Sequence, residues 1–258
     1  ILSSLVGSEM CIRDSAQLVR ANRELERVCR AYRLPCVSGK DSMKNDYGSG
    51  PDKISIPPTL LFSLFGDHPD VRKTATSDFK FAGDRIYLVG SSKQELGASE
   101  LAFMLTESGE AAGVGGDVPR LLDPEENLNT YRSLSACIRA GWVRTAHDCS
   151  EGGVAVALAE MCIGGRIGAV VDIDGTGDGD VWGRLWGESL GRFIVAVSSE
   201  HEGAFLEAMR GHPTTVLGHV QTEATLVITD GDDLLIATEV ESLVDAWKGT
   251  LDLTGGVS

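Results

Sequence analysis

The chain has 258 residues, 42% of them hydrophobic, which is enough apolar material for one large domain or two small ones. Its 23 basic and 38 acidic residues give a net charge of −15. This acidity argues against nucleic acid and anionic membranes as partners, because both attract clustered basic charge. No run of about 18 apolar residues occurs, so no membrane span is predicted.

The six cysteines are scattered without a CxxC pair, so neither a zinc site nor a disulfide framework is expected. Reduced thiols in a cytoplasmic protein are the better interpretation. Cys149 is flanked by Asp148 and Ser150, a setting in which a thiol nucleophile is conceivable. A small buried filler is the favoured alternative. The cysteines stand at positions 11, 29, 36, 137, 149 and 162.

The first 15 residues, ILSSLVGSEMCIRDS, have neither helical nor strand periodicity and lack the features of a signal peptide. We expect them to be foreign to the fold and without regular structure. A helix is predicted from Ala16 to Leu34 and ends before Pro35. Residues 54–66 are predicted to form a buried strand. One helix and one or two strands do not close a core, so this segment is expected to be the end of a domain whose front is absent.

A polar linker is expected from Asp67 to Gly83, and helices and strands then alternate irregularly. The mixture predicts an α+β fold in which a mixed sheet is covered by helices. Strands are predicted at residues 84–90, 142–146, 169–173, 192–197, 215–220 and 225–228, and helices at 97–108, 127–140, 154–163, 200–210 and 239–251.

The run AHDCSEGGVAVALAEM, residues 146–161, carries the strongest chemical signal. Ser150 is predicted to cap the apolar helix, and Gly152 and Gly153 would let an anion approach its first amides. Asp148, just before them, could hold Mg²⁺ that bridges phosphate oxygens. The alternative is a capped helix whose glycines allow close packing on the sheet.

Three weaker patterns leave alternatives open. The turn at residues 38–42 places Lys40, Asp41 and Ser42 together, either to contact a ligand or as a solvated turn. In LWGESLGRF, residues 185–193, Glu188 either pairs with Arg192 or faces a ligand. The run DIDGTGDGD lacks the spacing of a calcium-binding loop. His147 is expected to have a core or supporting role rather than to act as a general base.

Several of these motifs resemble, in the same order, those of the phosphoribosylformylglycinamidine synthases, in the superfamily of aminoimidazole ribonucleotide synthetase. They are SGKDSMKND, DFKFAGDRIYLVG, ELGASELAFML, HDCSEGG and GESLGRFIVAV. The resemblance implies a fragment that contains the end of an N-terminal-type domain at residues 16–76 and a C-terminal-type domain at 77–258. It also implies an ATP-dependent ligase that makes formylglycinamidine ribonucleotide from formylglycinamide ribonucleotide and glutamine-derived ammonia, in purine biosynthesis.

By this resemblance Asp148 binds Mg²⁺, Ser150 contacts the nucleotide, Gly39 lies near ATP and Ser42 near the substrate. Gly152 and Gly153 join the expected nucleotide site, and Glu188 the expected substrate site. Many shorter members have Asn-Val where this chain has Lys40 and Asp41, so a metal role is not carried onto Lys40.

The family's catalytic histidine lies upstream of residue 16, so the fragment alone is expected to be inactive. Its expected partners are small-molecule nucleotides, the upstream domains of the same enzyme, and a glutaminase domain or subunit. Two alternatives remain, namely a structural module that holds nucleotide without turnover, and aminoimidazole ribonucleotide synthetase itself.

Overall fold

The computed structural model describes residues 2–40, 46–48, 53–55, 59–109 and 115–249. The chain divides into two compact units. The first contains residues 1–69 and 124–128, and the second contains 70–123 and 129–258. Within the described ranges, no helix combines the length and the apolar character needed to cross a membrane.

The first unit contains helix α1 (Leu2–Tyr32) and a two-stranded antiparallel ribbon of β1 (Asp46–Tyr47) and β2 (Ile54–Ser55). The helix therefore begins at Leu2, and the prediction that residues 1–15 lack regular structure is wrong. Adding residues to an existing helix is far easier than nucleating one, and this N-terminal stretch contains no proline. That these residues are foreign to the fold stays a prediction.

The predicted buried strand at residues 54–66 is also wrong. Of the described residues in this range, only Ile54 and Ser55 pair in a ladder, and residues 59–66 have no regular structure. Their side chains are exposed, with Leu61 and Phe65 each at 89%. Two prolines follow Ile56 in the sequence, and a proline has no N–H with which to continue a ladder.

The second unit is built on a seven-stranded sheet with the strand order β4-β6-β3-β7-β5-β8-β9. Five of its six strand pairs are antiparallel, and β5 with β8 is parallel. This mixed sheet with its helices confirms the predicted α+β class. After a 3₁₀-helix at Val71–Lys73, the elements are β3 (Arg85–Val89), α2 (Glu100–Glu107), α3 (Pro124–Arg139), β4 (Val143–Asp148), α4 (Gly153–Gly165), β5 (Gly168–Asp172), α5 (Val181–Trp186), β6 (Phe193–Val197), α6 (Glu202–Ala208), β7 (Thr214–Gln221), β8 (Thr225–Asp230), β9 (Asp233–Glu239) and α7 (Val240–Gly249). The first five residues of α3 are counted in the first unit.

Both faces of the sheet are buried. Along β3, Ile86 and Leu88 face one hydrophobic cluster, and Tyr87 and Val89 face another, as the two-residue period of a strand requires. The first cluster includes α4 and α7, and the second includes α3 and α6. The almost wholly apolar α4 buries seven residues, which confirms the prediction that this helix lies in the core.

Apart from the 3₁₀-helix, two of the described elements in this unit were not predicted. Helix α5 is short and contains Gly183, whose N–H donates to the Asp180 carboxylate at 2.9 Å. Asp180, an N-cap residue directly before this helix, is the feature of the sequence that could have predicted it. Strand β9 pairs with β8 across the turn at Gly231, and the apolar residues on both sides of this Asp-Gly turn predict such a hairpin.

Candidate functional site

The candidate site lies at one end of the large sheet, where β4 stops and α4 begins. Asp148 is the last residue of β4 and pairs with Phe193, the first residue of β6. The next residue, Cys149, donates its backbone N–H to the carbonyl of Arg192 at 3.0 Å. The sheet therefore places the HDCSEGG run beside the GESLGRF run, although about 40 residues separate them in sequence.

Asp148 presents an ionised carboxylate to solvent, with its side chain 61% exposed. The Ser150 hydroxyl donates to one of its oxygens, and the ring of His147 lies 3.3 Å from the other. The hydrogen bond from Ser150 is the main reason why the pKa of Asp148 lies below its ordinary value. The carboxylate is consequently a permanent anion at neutral pH.

Ser150 does not cap α4, so this prediction is wrong. The N-cap is Gly152, in the left-handed conformation with φ 76°, and no side chain caps the helix there. The Ser150 hydroxyl turns back to Asp148 instead, because an acceptor two residues away is in easy reach.

The two glycines serve the internal packing of this turn. The Gly152 N–H donates to Glu188, and the Gly153 N–H donates to the Ser150 carbonyl at 3.1 Å. A Cβ at Gly153, where φ is 66°, would lie 2.6 Å from the Gly187 carbonyl oxygen. The structure therefore has the features of the close-packing alternative, and a nucleotide role for these glycines remains a prediction.

Glu188 joins the beginnings of two helices. Its Oε1 accepts the backbone N–H of Gly152 at α4 and that of Glu100 at α2, each at 2.9 Å. An anion at the N-terminus of a helix is favoured by the helix dipole and by the free amides of the first turn. Arg192 donates to two carbonyls and a hydroxyl rather than to Glu188, so the simple ion pair considered for them is absent among the described contacts.

Arg192 is 99% buried and is held by acceptors from three places. Its guanidinium donates to the Ser189 carbonyl at 2.9 Å, to the Ser92 hydroxyl at 2.8 Å and to the Gly187 carbonyl. Burial lowers its pKa, and the neighbouring charge of Glu95 opposes that shift. The arginine thus fixes the loop that carries Glu188 against the loop after β3.

The loop from Ser92 to Glu100 contributes contacts that the sequence did not single out. Glu95 is 94% buried, its carbonyl accepts the Glu188 N–H at 3.1 Å, and its Oε1 accepts the Arg120 N–H at 3.2 Å. Ala98 has φ 60°, which strains a residue that carries a Cβ. The ELGASE motif was the available signal, since it formed part of the family resemblance.

His147 and Cys149 have the supporting roles expected of them. The His147 ring lies between two carboxylates, with its second nitrogen 2.9 Å from Glu160. Cys149 is buried, which raises the pKa of its thiol to about 12. A neutral thiol in the core is a poor nucleophile, so the favoured interpretation as a filler agrees with the structure.

The predicted turn at residues 38–42 is described only as far as Lys40. Gly39 and Lys40 belong to the first unit and are exposed there. Ser42 and Asp41 lie outside the described residues. In the run DIDGTGDGD the carboxylate of Asp172 accepts the backbone N–H groups of Asp174 and Gly231, both at 3.0 Å, so its role there is to hold turns.

Asp148 and Ser150 suit a hard cation such as Mg²⁺. An exposed, ionised carboxylate beside a hydroxyl provides the oxygen donors that this ion prefers. Among the described residues no group of three His, Cys, Asp or Glu side chains could hold a metal ion. Mg²⁺ is commonly bound by one or two carboxylates together with phosphate oxygens and water, so a site of this size fits the ion when a phosphate is also present.

Solved structures of a bacterial enzyme have the same fold as part of this chain. One is Thermotoga maritima PurL complexed with FGAR, with a TM-score of 0.58 and 22% identity over 67% of this chain and 30% of that one. Another is the same enzyme complexed with ATP, with a TM-score of 0.53 and 21% identity over 67% and 28%. A third is named phosphoribosylformylglycinamidine synthase II from T. maritima, with a TM-score of 0.53 and 22% identity over 66% and 27%. The chain spans less than a third of the length of these relatives.

The family model described as "AIR synthase related protein, C-terminal domain" matches residues 82–231. This range contains the whole sheet from β3 to β8 together with the residues around Asp148 and Glu188. It covers more than half of the chain, and the chain therefore belongs to the AIR synthase related family.

Proposed function

We propose that this chain is part of a phosphoribosylformylglycinamidine synthase, an ATP-dependent ligase that converts formylglycinamide ribonucleotide into formylglycinamidine ribonucleotide with glutamine-derived ammonia. The observation that carries the proposal is the ionised Asp148–Ser150 pair at the start of α4, within a domain of the AIR synthase related family. The complexes of T. maritima PurL with ATP and with FGAR support it by likeness of fold.

In this proposal Asp148 holds Mg²⁺, and Ser150 contacts the nucleotide and keeps Asp148 ionised. Bound Mg²⁺ would neutralise phosphate charge at a site where the described side chain is itself an anion. Gly152, Gly153 and Gly39 complete the nucleotide site, and Ser42 and Glu188 face the substrate. For Gly152 to donate to a phosphate, the Glu188 carboxylate must first release its N–H.

The remaining parts of the longer enzyme belong to the same proposal. They provide the catalytic residues, and a glutaminase domain or subunit provides ammonia. We place the enzyme in the cytoplasm and in purine biosynthesis. The chain by itself forms no product, and product formation by the purified chain would contradict this assignment.

Calorimetry with ATP and Mg²⁺ tests the role of Asp148. We expect Asp148→Asn to weaken ATP binding at least about tenfold, and removal of Mg²⁺ by a chelator to weaken binding to the original chain but not further to the variant. Asp245→Asn is the matched control, because Asp245 is an exposed carboxylate on α7. Equal affinities for the Asp148 variant and the original chain would remove Asp148 from the nucleotide site.

A second candidate is a structural module of the same enzyme that holds nucleotide without turnover. The internal bonding of Gly152 and Gly153 favours the structural part of this role, because these amides already have acceptors within the protein. In that case Asp148→Asn in the longer enzyme lowers the midpoint of thermal unfolding while kcat is unchanged. A loss of kcat with unchanged thermal stability would instead favour the catalytic site.

A further inference from the structure

Two cysteines of the first unit lie side by side. The Sγ atoms of Cys29 and Cys36 are 3.8 Å apart, and neither forms a disulfide. Cys29 is in the last turns of α1 and is partly exposed, whereas Cys36 follows Pro35 and is exposed. A reagent in solution therefore has access to at least one member of the pair.

The end of α1 creates this proximity. Arg33 has φ 57°, in the left-handed region, and the N–H of Leu34 donates to the carbonyl of Cys29 at 2.9 Å. This is the chain reversal that commonly ends a helix, and Pro35 prevents the helix from continuing. The reversal brings Cys36 back over the turn that carries Cys29.

The two sulfur atoms need to move only a short distance to form a bond. A disulfide bond is about 2.05 Å long, so the sulfurs have to approach by roughly 1.8 Å. Rotation about the Cα–Cβ bond moves a sulfur by more than that distance. The two side chains therefore need only new rotamers or a slight shift of the exposed residues 34–36.

The surroundings suit an anionic reagent. The two thiols line an open groove of about 540 Å³ together with Arg33 and with Arg30, which pairs with Glu26 of the same groove at 2.8 Å. Cys137, Cys149 and Cys162 are buried, and burial raises the pKa of both Cys149 and Cys162 to about 12. Access and neighbouring positive charge thus distinguish Cys29 and Cys36 from the cysteines of the core.

We propose that Cys29 and Cys36 form a reversible intrachain disulfide by exchange with a small anionic disulfide such as glutathione disulfide. The exposed Cys36 thiolate attacks one sulfur of the reagent, its S–S bond breaks, and the first glutathione thiolate leaves. Cys29 then attacks the Cys36 sulfur and displaces the second glutathione thiolate. Two protein thiols are oxidised, one disulfide is reduced, and the two thiol protons end on the released glutathione molecules.

The order of attack follows from the environment. Partial burial, and then the neighbouring Cys36, raise the pKa of the Cys29 thiol. Cys36 is the more accessible thiol and is therefore the one that reacts first. The Cys29–Cys36 disulfide would hold the segment that leads to Gly39, three residues after Cys36. This inference concerns the first unit only and does not rest on the proposed function.

The experiment uses the full chain with Cys11→Ser as the background, incubated in glutathione buffers, quenched with acid, alkylated and cut with trypsin. Cleavage at Arg27, Arg30, Arg33 and Lys40 places the two cysteines in separate peptides. We expect a disulfide-linked pair of the peptides VCR and LPCVSGK, at least about tenfold more abundant than glutathione adducts of either peptide. Cys29→Ser and Cys36→Ser should each abolish the linked pair and leave a glutathione adduct on the other cysteine.

A displaced cysteine tests whether the fold, rather than closeness in sequence, drives the reaction. In Cys29→Ser combined with Arg30→Cys the thiol moves by about 100° around α1. We expect at least tenfold less of the linked peptides in this variant. The proposal is overturned if the original chain yields only free thiols or glutathione adducts, or if the displaced cysteine forms the link equally well.

Discussion

The Glu188 carboxylate lies 2.9 Å from the backbone nitrogen of Gly152, so the chain supplies its own anion at the N-terminus of α4. The same oxygen accepts the N–H of Glu100 at the start of α2. A single carboxylate oxygen thereby ties together two helices that begin 53 residues apart in the sequence. Any phosphate that uses the Gly152 amide has to compete with this side chain.

Replacing Glu188 by alanine should weaken the second unit. Glu188→Ala leaves two backbone N–H groups without their acceptor, and we expect the free energy of unfolding to fall by about 1.5–3 kcal/mol. Urea unfolding measures the change. Glu188→Gln keeps an oxygen acceptor, so it should lose less than half as much. Equal losses for the two variants would show that the carbonyl-type acceptor is not what stabilises the turn.

Replacing Gly153 by alanine should destabilise the fold far more than replacing Gly175 by alanine. Both glycines have positive φ, at 66° and 73°, but only Gly153 has backbone atoms within 3 Å of the added Cβ. We expect Gly153→Ala to destabilise the chain by roughly 3 kcal/mol or more, and Gly175→Ala by about 1–2 kcal/mol. Thermal unfolding of the two variants provides the comparison. Similar losses at both positions would contradict the close approach of α4 to the Gly187 carbonyl.

Removal of the Arg192 guanidinium should be strongly destabilising. Arg192→Met leaves the Ser189 and Gly187 carbonyls without this donor in a buried place, and we expect a loss of more than about 3 kcal/mol. Arg210→Met is the control, because Arg210 is exposed and pairs with Glu207 on the surface. For Arg210→Met we expect the free energy of unfolding to change by no more than about 0.5 kcal/mol. Chemical denaturation distinguishes the two, and a mild effect at Arg192 would argue against its bracing role.

Tyr87 should make the protein less stable at alkaline pH. Burial, and then the hydrogen bond to Glu202, raise the pKa of Tyr87 from 10.0 to about 12. Between these values the folded state keeps a proton that the unfolded state loses, so the stabilisation is complete below pH 10 and disappears as the pH approaches 12. Tyr87→Phe should remove this contribution to the pH dependence of the free energy of unfolding.

The measurement for Tyr87 is the free energy of unfolding of both proteins across that pH range. At neutral pH we expect the Phe variant to be about 1 kcal/mol less stable, because it lacks the hydrogen bond to Glu202. The gap should narrow as the pH rises. A gap that stays constant from pH 8 to 12 would refute the shifted titration.

The sequence predicted most of the second unit because its signals are local. The apolar run of α4 predicts a buried helix, and the apolar run at residues 84–90 predicts strand β3. Ser150, however, was predicted to cap α4, and in the structure its hydroxyl donates to Asp148 instead. In the first unit, by contrast, an apolar run at residues 59–66 was mistaken for a buried strand, because periodicity does not report whether a neighbouring strand exists.

The contacts of Glu188 could not be predicted, because they depend on which strands become neighbours. The carboxylate meets Gly152 only because β4 and β6 pair, and it meets Glu100 only because the loop after β3 returns to the same edge. Neither pairing leaves a mark in the residues near Glu188. The same reason explains why the capping role was given to Ser150, the nearest residue of a suitable type.

The strand order has a consequence for synthesis on the ribosome. Strand β3 lies inside the sheet between β6 and β7, and its residue Tyr87 pairs with Val195, over a hundred residues later in the chain. The apolar β3 therefore emerges long before either neighbour exists. Among the described strands of this sheet, only β8 and β9 pair as a local hairpin, and they follow the other strands in the chain. Such nonlocal pairing slows folding and leaves an unpaired strand exposed in the meantime, so we expect the nascent chain to depend on chaperones until β7 has been made.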